Sequence, residues 1–117
     1  MNDSELKTRT KRFALRVMKL VGALPMNAVG KAIGSQLIRS ATSVGANYRS
    51  ACRGRSKAEF AAKLSIVIEE ADESCYWLEL IIEGELLPKE RVDELLDEAN
   101  QITAIMVASR KTAKGDN

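Results

Sequence analysis

Any chemistry in this 117-residue chain has to be done without histidine. Ser–His and Cys–His nucleophile pairs are therefore excluded, and no motif supports a serine activated by lysine. Glu70 and Glu73 have the i, i+3 spacing of carboxylates in a helical di-iron site, but the Glu-x-x-His partners of such a site are missing. The tract Glu69, Glu70, Asp72, Glu73 is accounted for as a solvated face or as ion-pair partners for a neighbouring helix. The stretch GKAIGS lacks the GxxxxGK(S/T) spacing and the preceding strand of a phosphate loop. Cys52 and Cys75 have no CxxC spacing, and they read as reduced, semi-apolar packing residues. No catalytic residue, metal ligand or cofactor is expected, and the chain is read as a non-enzyme.

Two other constellations carry chemistry. The first is cationic. Arg49, Arg53, Arg55 and Lys57 crowd one short stretch, with no acid between Arg49 and Ala58, while Arg12 and Arg16 lie with Arg9 and Lys19 on an earlier segment. Such cations hold phosphates without reading base sequence. Residues 1–63 contain 13 Lys/Arg and 3 Asp/Glu, against 5 and 13 in residues 64–117, so the net charge of +2 conceals halves of +10 and −8. Either the basic half packs beside the acidic half, or it presents a surface to a polyanion. The second constellation is a polar seam, Gln36, Arg39, Ser43 and Asn47, at i, i+3, i+7 and i+11. It is either a solvated face or a buried contact between helices or subunits. In the buried case Arg39 requires a carboxylate, with Glu73 and Glu79 as candidates.

The elements that position these residues are helices. Hydrophobic residues make up 45% of the chain, aromatics 4%, and proline occurs twice. From about residue 4 to 24, Phe13, Val17, Leu20, Val21 and Leu24 share one helical face, and Pro25 stops the helix at Leu24. Asn27 caps a second helix, about 28–53, whose apolar positions are Val29, Ile33, Leu37, Val44 and Tyr48. Its Gly30, Gly34 and Gly45 imply that another backbone comes close, and Gly54 suits a left-handed terminus. Ser56 and Glu59 form a capping box for a third helix, about 57–83. That helix carries a stripe from Phe60 through Leu64, Val67, Ala71, Cys75 and Leu78 to Ile82. Ile66, Trp77, Leu80 and Ile81 widen the stripe to a second face, which predicts a central position or self-association. Pro88 opens a fourth helix, about 88–113, buried through Val92, Leu95, Leu96, Ala99, Ile102, Ile105 and Met106. Short connections make these helices one all-α, antiparallel up-down-up-down bundle spanning residues 1–117. The tail KGDN is expected to fray. The longest uncharged run has 11 residues, too few to cross a bilayer, and MNDSELKTRTKR has no apolar core of a signal peptide. No membrane association is expected, and the expected compartment is the cytoplasm.

The block SQLIRSATSVGANYRSACRGRSKAEFAAKLSIVIEEADESCYWLELI resembles the four-helix-bundle family of ribosomal RNA intervening-sequence proteins. The family pattern of a Gln-Leu-x-Arg start, a Ser and an Asn on helix two, a basic turn and a Leu-rich helix three with an internal Glu falls on Gln36, Leu37, Arg39, Ser43, Asn47, Arg53–Lys57, Leu64 and Glu73. Where many members have Ile-Ala-Glu-Gly after the Asn, this chain has the longer, more basic Tyr48-Arg49-Ser50-Ala51-Cys52-Arg53-Gly54. The family is similar to the accessory variability proteins of diversity-generating retroelements, basic pentamers that bind nucleic acid and partner with a reverse transcriptase. The resemblance implies a ring-like homo-oligomer, with a pentamer favoured, and RNA, DNA or a protein as further partners. The competing reading is a structural or protein-interaction oligomer with no nucleic-acid role.

Overall fold

In the computed structural model, which describes residues 1–115, the chain forms α1 (Asp3–Val21), α2 (Ala28–Cys52), α3 (Lys57–Glu83) and α4 (Asp93–Ala113), with a 3-10 turn at Lys89–Arg91 before α4. The fraying expected of the tail at Asp116 and Asn117 lies outside the described residues. No strand occurs among the described residues. None of the helices is long and apolar enough to cross a membrane.

Side chains fix the helix starts. Asn2, Asn27 and Ser56 each accept a hydrogen bond from the amide three residues on, at Glu5, Gly30 and Glu59, which satisfies a donor that has no partner within the helix. The capping box at Ser56 closes one residue early, because the Glu59 carboxylate accepts from the amide of Arg55 at 3.3 Å. α1 stops at Val21 rather than Leu24. The chain tightens there into a turn with Ala23 N–H bonded to Leu20 C=O and Leu24 N–H to Val21 C=O, as happens where a following proline disfavours another α-helical residue. Leu24 is still buried. α4 starts later than expected, because Pro88 opens the 3-10 turn and the α-helix proper begins at Asp93.

Helix ends also differ from expectation in handedness. Gly54 follows α2 without a left-handed backbone; its role is space, since a Cβ there would sit 3.1 Å from the carbonyl oxygen of Ala51 and 3.3 Å from the amide of Phe60. The left-handed residue that ends α3 is Glu85, at φ 56°, one position after Gly84. Leu86 N–H then reaches Ile81 C=O at 2.9 Å and Glu85 N–H reaches Ile82 C=O at 3.1 Å, the paired bonds of a Schellman ending.

The helices pack in cyclic order, with α3 lying against both α2 and α4 and α1 lying against α2 and more sparsely α4. Neighbours run antiparallel: Thr10 faces Gly45, while Val21 and Leu24 face Gly34. The body is 45 × 22 × 20 Å, its long axis set by the 27 residues of α3 at about 1.5 Å each. Phe13, Leu37, Tyr48, Leu64, Leu78, Ile81, Ile102 and Met106 form the fully buried centre. Val29, expected in the stripe of α2, is instead exposed, because α2 has barely begun there and lies beyond the end of α1.

Candidate nucleic-acid interface

Antiparallel packing puts the starts of α1 and α3 at the same end as the finishes of α2 and α4. That end (residues 1–14, 41–70 and 105–115) holds 12 Lys/Arg against 5 Asp/Glu, and the other (residues 15–40 and 71–104) holds 6 against 10. The sequence asymmetry between halves therefore becomes an asymmetry along the long axis. At the basic end, Lys7 and Lys11 on α1 and Arg49 and Arg53 on α2 line one shallow concavity with Thr8. Each pair is spaced i, i+4, so each side chain points the same way from its helix. The two rows are brought together where α1 meets α2 closely, since a Cβ on Gly45 would lie 3.2 Å from the Thr10 hydroxyl. Among the described residues, none of these four cations has a carboxylate within 4.0 Å.

The six cations singled out in the sequence do not form one surface. Arg49 and Arg53 join the concavity. Arg12 and Arg16 point to the opposite flank of α1, toward α4, where Arg16 shares a depression with Glu90, Arg91 and Glu94, and both line another with Arg9 and Glu98. The field there is mixed because Arg9 itself is clamped: its Nε and Nη2 donate to the two Glu98 oxygens at 2.7 and 2.8 Å, and Nη2 also reaches Gln101. The Glu98 hydrogen bond raises the pKa of Arg9 against the opposing effect of burial. Lys57 lines a partly apolar cleft with Phe60, Tyr48 and Ile105, and Arg55 is exposed at the turn. Lys7 and Lys11 were not singled out as site residues by sequence reasoning. Only the α1–α2 register places them beside Arg49 and Arg53. Tyr48 is no stacking platform, since it is buried and its hydroxyl donates to Asp3 at 3.3 Å. Burial, then the neighbouring Cys52 and Asp3, push its pKa far up.

Within one chain the polar seam lies at the surface. Gln36 and Arg39 are exposed and Ser43 and Asn47 half-buried. Ser43 Oγ donates to the Arg39 carbonyl at 2.6 Å and Asn47 Nδ2 to the Ser43 carbonyl at 2.8 Å, so both short side chains are turned back onto their own helix. Arg39 reaches across to α3, pairing with Glu73 and, at 3.2 Å, with Glu70. Glu79 is exposed and forms no ion pair among the described residues. Trp77 Nε1 donates to Glu73 at 3.0 Å, and this bond, with Arg39, holds the Glu73 carboxyl below the usual range. Arg39 thus pairs with Glu73, one of its two expected carboxylates, but within one chain the pair is not buried, since the Arg39 side chain keeps 50% of its exposure. The buried polar contact between α2 and α3 is a different one, Ser74 Oγ donating toward Ser40 Oγ at 3.0 Å or the Glu70 carbonyl at 2.9 Å. A sequence signal for it exists, since Ser40 is in phase with Leu37 and Val44, and Ser74 with Ala71 and Leu78. Cys52 and Cys75 are both free thiols; burial raises the pKa of Cys75, which faces Asn100 at 3.4 Å.

With this geometry established, comparison with known families decides the relationship. Residues 2–108 match the family described as 23S rRNA-intervening sequence protein. The chain belongs to that family. A similar solved structure is a crystal structure from Bacteroides thetaiotaomicron, described as a protein with unknown function from the S23 ribosomal protein family. It is 33% identical, with 91% of this chain and 98% of that chain covered and a TM-score of 0.84. No match to a curated protein was found. The fold is therefore shared by at least one other protein of ribosomal-family description, along nearly the whole length of this 23S rRNA-intervening sequence family member.

Proposed function

We propose that this protein is a non-catalytic, self-associating bundle, with a pentamer favoured, whose basic end binds RNA or DNA in the cytoplasm without reading sequence. The observation that carries the reading is the concavity of Lys7, Lys11, Arg49 and Arg53, four cations converging from two helices with no carboxylate partner among the described residues. Arg55 and Lys57 extend the same end. A cluster of this kind attracts any phosphate backbone through counterion release, and nothing in it is placed to distinguish base edges. Repetition of the cluster in a homo-oligomer would add weak contacts through multivalency. The family name, which refers to ribosomal RNA, is consistent with this.

The test is to replace Lys7, Arg49 and Arg53 together by Gln and to measure binding to mixed-sequence RNA and duplex DNA over a range of salt. Each phosphate contact contributes about −0.7 to −0.9 to the slope of log affinity against log salt. The variant is expected to bind more weakly, with a slope shallower by two to three contacts. Wild-type protein that binds neither polymer at low salt would instead favour the structural or protein-interaction oligomer.

A further inference from the structure

Two helix faces on opposite sides of the bundle have complementary character. On α3 the outward positions Ile66, Glu69, Glu73, Tyr76 and Leu80 recur at steps of 3 and 4, the period of a seam built to meet another helix. Ile66 and Tyr76 remain 43% and 53% exposed. From Lys63 to Lys89 the chain has no cation, so the charges that α3 itself places along this stripe are acids, with Arg39 of α2 paired to Glu73 at one margin. On α1 the outward positions Leu15 and Met18 have the same spacing and are 57% and 51% exposed, one turn beyond the concavity of Lys7 and Lys11. Between Glu5 and Glu59 the chain has no acid, so the charges that α1 itself places along that stripe are cations, Arg12 and Lys19 among them, with Glu94 and Glu98 of α4 beyond one margin. The two faces cannot meet within one chain, because α1 and α3 are diagonal in the bundle.

We propose that the outer stripe of α1 in one copy packs against the outer stripe of α3 in a second copy, Leu15 and Met18 against Ile66 and Tyr76, with lysines and glutamates pairing at the margins. This rests on the self-association reading above and assigns its surface. The occupant is a second copy because each face supplies what the other lacks, apolar centre to apolar centre and cation to carboxylate. Trp77 and Arg39, held together through Glu73 beside the α3 stripe, belong to the residue types that dominate interface energetics. The contact joins two different patches, so it is heterologous, and repetition of it closes a ring.

The test uses two surface variants of the full chain, one with Leu15→Glu and Met18→Glu and the other with Ile66→Lys and Tyr76→Lys, each checked by circular dichroism for retained helix. Light scattering is expected to give each variant alone at the 12.8 kDa monomer mass and their mixture as a one-to-one dimer that grows no further, since one live α1 stripe meets one live α3 stripe. If only one variant becomes monomeric, the contact joins like faces and the proposal is wrong. If both still assemble as the wild type does, another surface is used and the proposal is wrong while self-association stands. A monomeric wild type would overturn the self-association reading itself.

Discussion

Substitution of Gly30 by Ala should unsettle the join between α1 and α2 more than the same change at Gly34 or Gly45. Gly30 is the third residue of α2. A Cβ built on it would overlap the carbonyl oxygen of Pro25 and lie 3.0 Å from the Pro25 carbonyl carbon and 3.3 Å from its nitrogen. All three atoms are backbone, so relief requires the Pro25–Asn27 loop to move. That loop carries the cap, in which Asn27 Oδ1 accepts the Gly30 amide at 2.9 Å. Overpacking costs about 1–3 kcal/mol, and loss of a cap costs about 0.5–2 kcal/mol. Ala returns about 1 kcal/mol of helix propensity at most. The net expectation is destabilisation by about 1–3 kcal/mol from these opposing effects. At Gly34 the added methyl would meet Val21 Cγ1 at 2.9 Å and Leu24 Cδ1 at 3.2 Å, side-chain rather than backbone atoms, and at Gly45 it would meet the Thr10 hydroxyl at 3.2 Å. Both should be milder, with the propensity gain offsetting most of the crowding. The assay is urea unfolding followed by far-ultraviolet circular dichroism, at one protein concentration because self-association would shift the midpoint. A Gly30→Ala protein as stable as wild type, or the best tolerated of the three, would refute the close-approach argument.

Two further outcomes follow from the α2–α3 contact. Ser74→Ala should destabilise by about 0.5–1.5 kcal/mol through the lost buried hydrogen bond, whereas Ser40→Ala with Ser74→Ala together should be less harmful than the sum of the single changes, as a double-mutant cycle in urea would show. The Glu73 carboxyl, lowered from its reference value of 4.5 by Trp77 and Arg39, stabilises the fold above its unfolded-state pKa, and that contribution is lost as pH falls through the lower folded-state value. Glu73→Gln should therefore be less stable than wild type at neutral pH and converge with it in acid; an equal gap at both pH values would contradict the ion pair.

Local sequence determined the helices and their caps. The 3.6-residue periodicity, the capping residues Asn27 and Ser56 and the two prolines act over one or two turns, and so they could be read without a partner. The absence of histidine ruled out whole classes of chemistry in the same way, and the three glycines of α2 pointed to a close backbone, which is found at Gly30 and Gly45, whereas at Gly34 the neighbours are the side chains of Val21 and Leu24. Tertiary structure decided the rest. Register between antiparallel helices put Lys7 and Lys11 beside Arg49 and Arg53, and turned Arg12 and Arg16 away toward the acids of α4. Helix-face angle decided that Arg39 is half exposed beside Glu70 and Glu73 while Ser40 and Ser74 take the buried polar contact. A charge pattern along a chain gives sign and spacing on each helix. Which charges meet depends on how the helices are slid and rotated against one another, and that is set by the packing of Phe13, Leu37, Leu64 and Ile102 in the core.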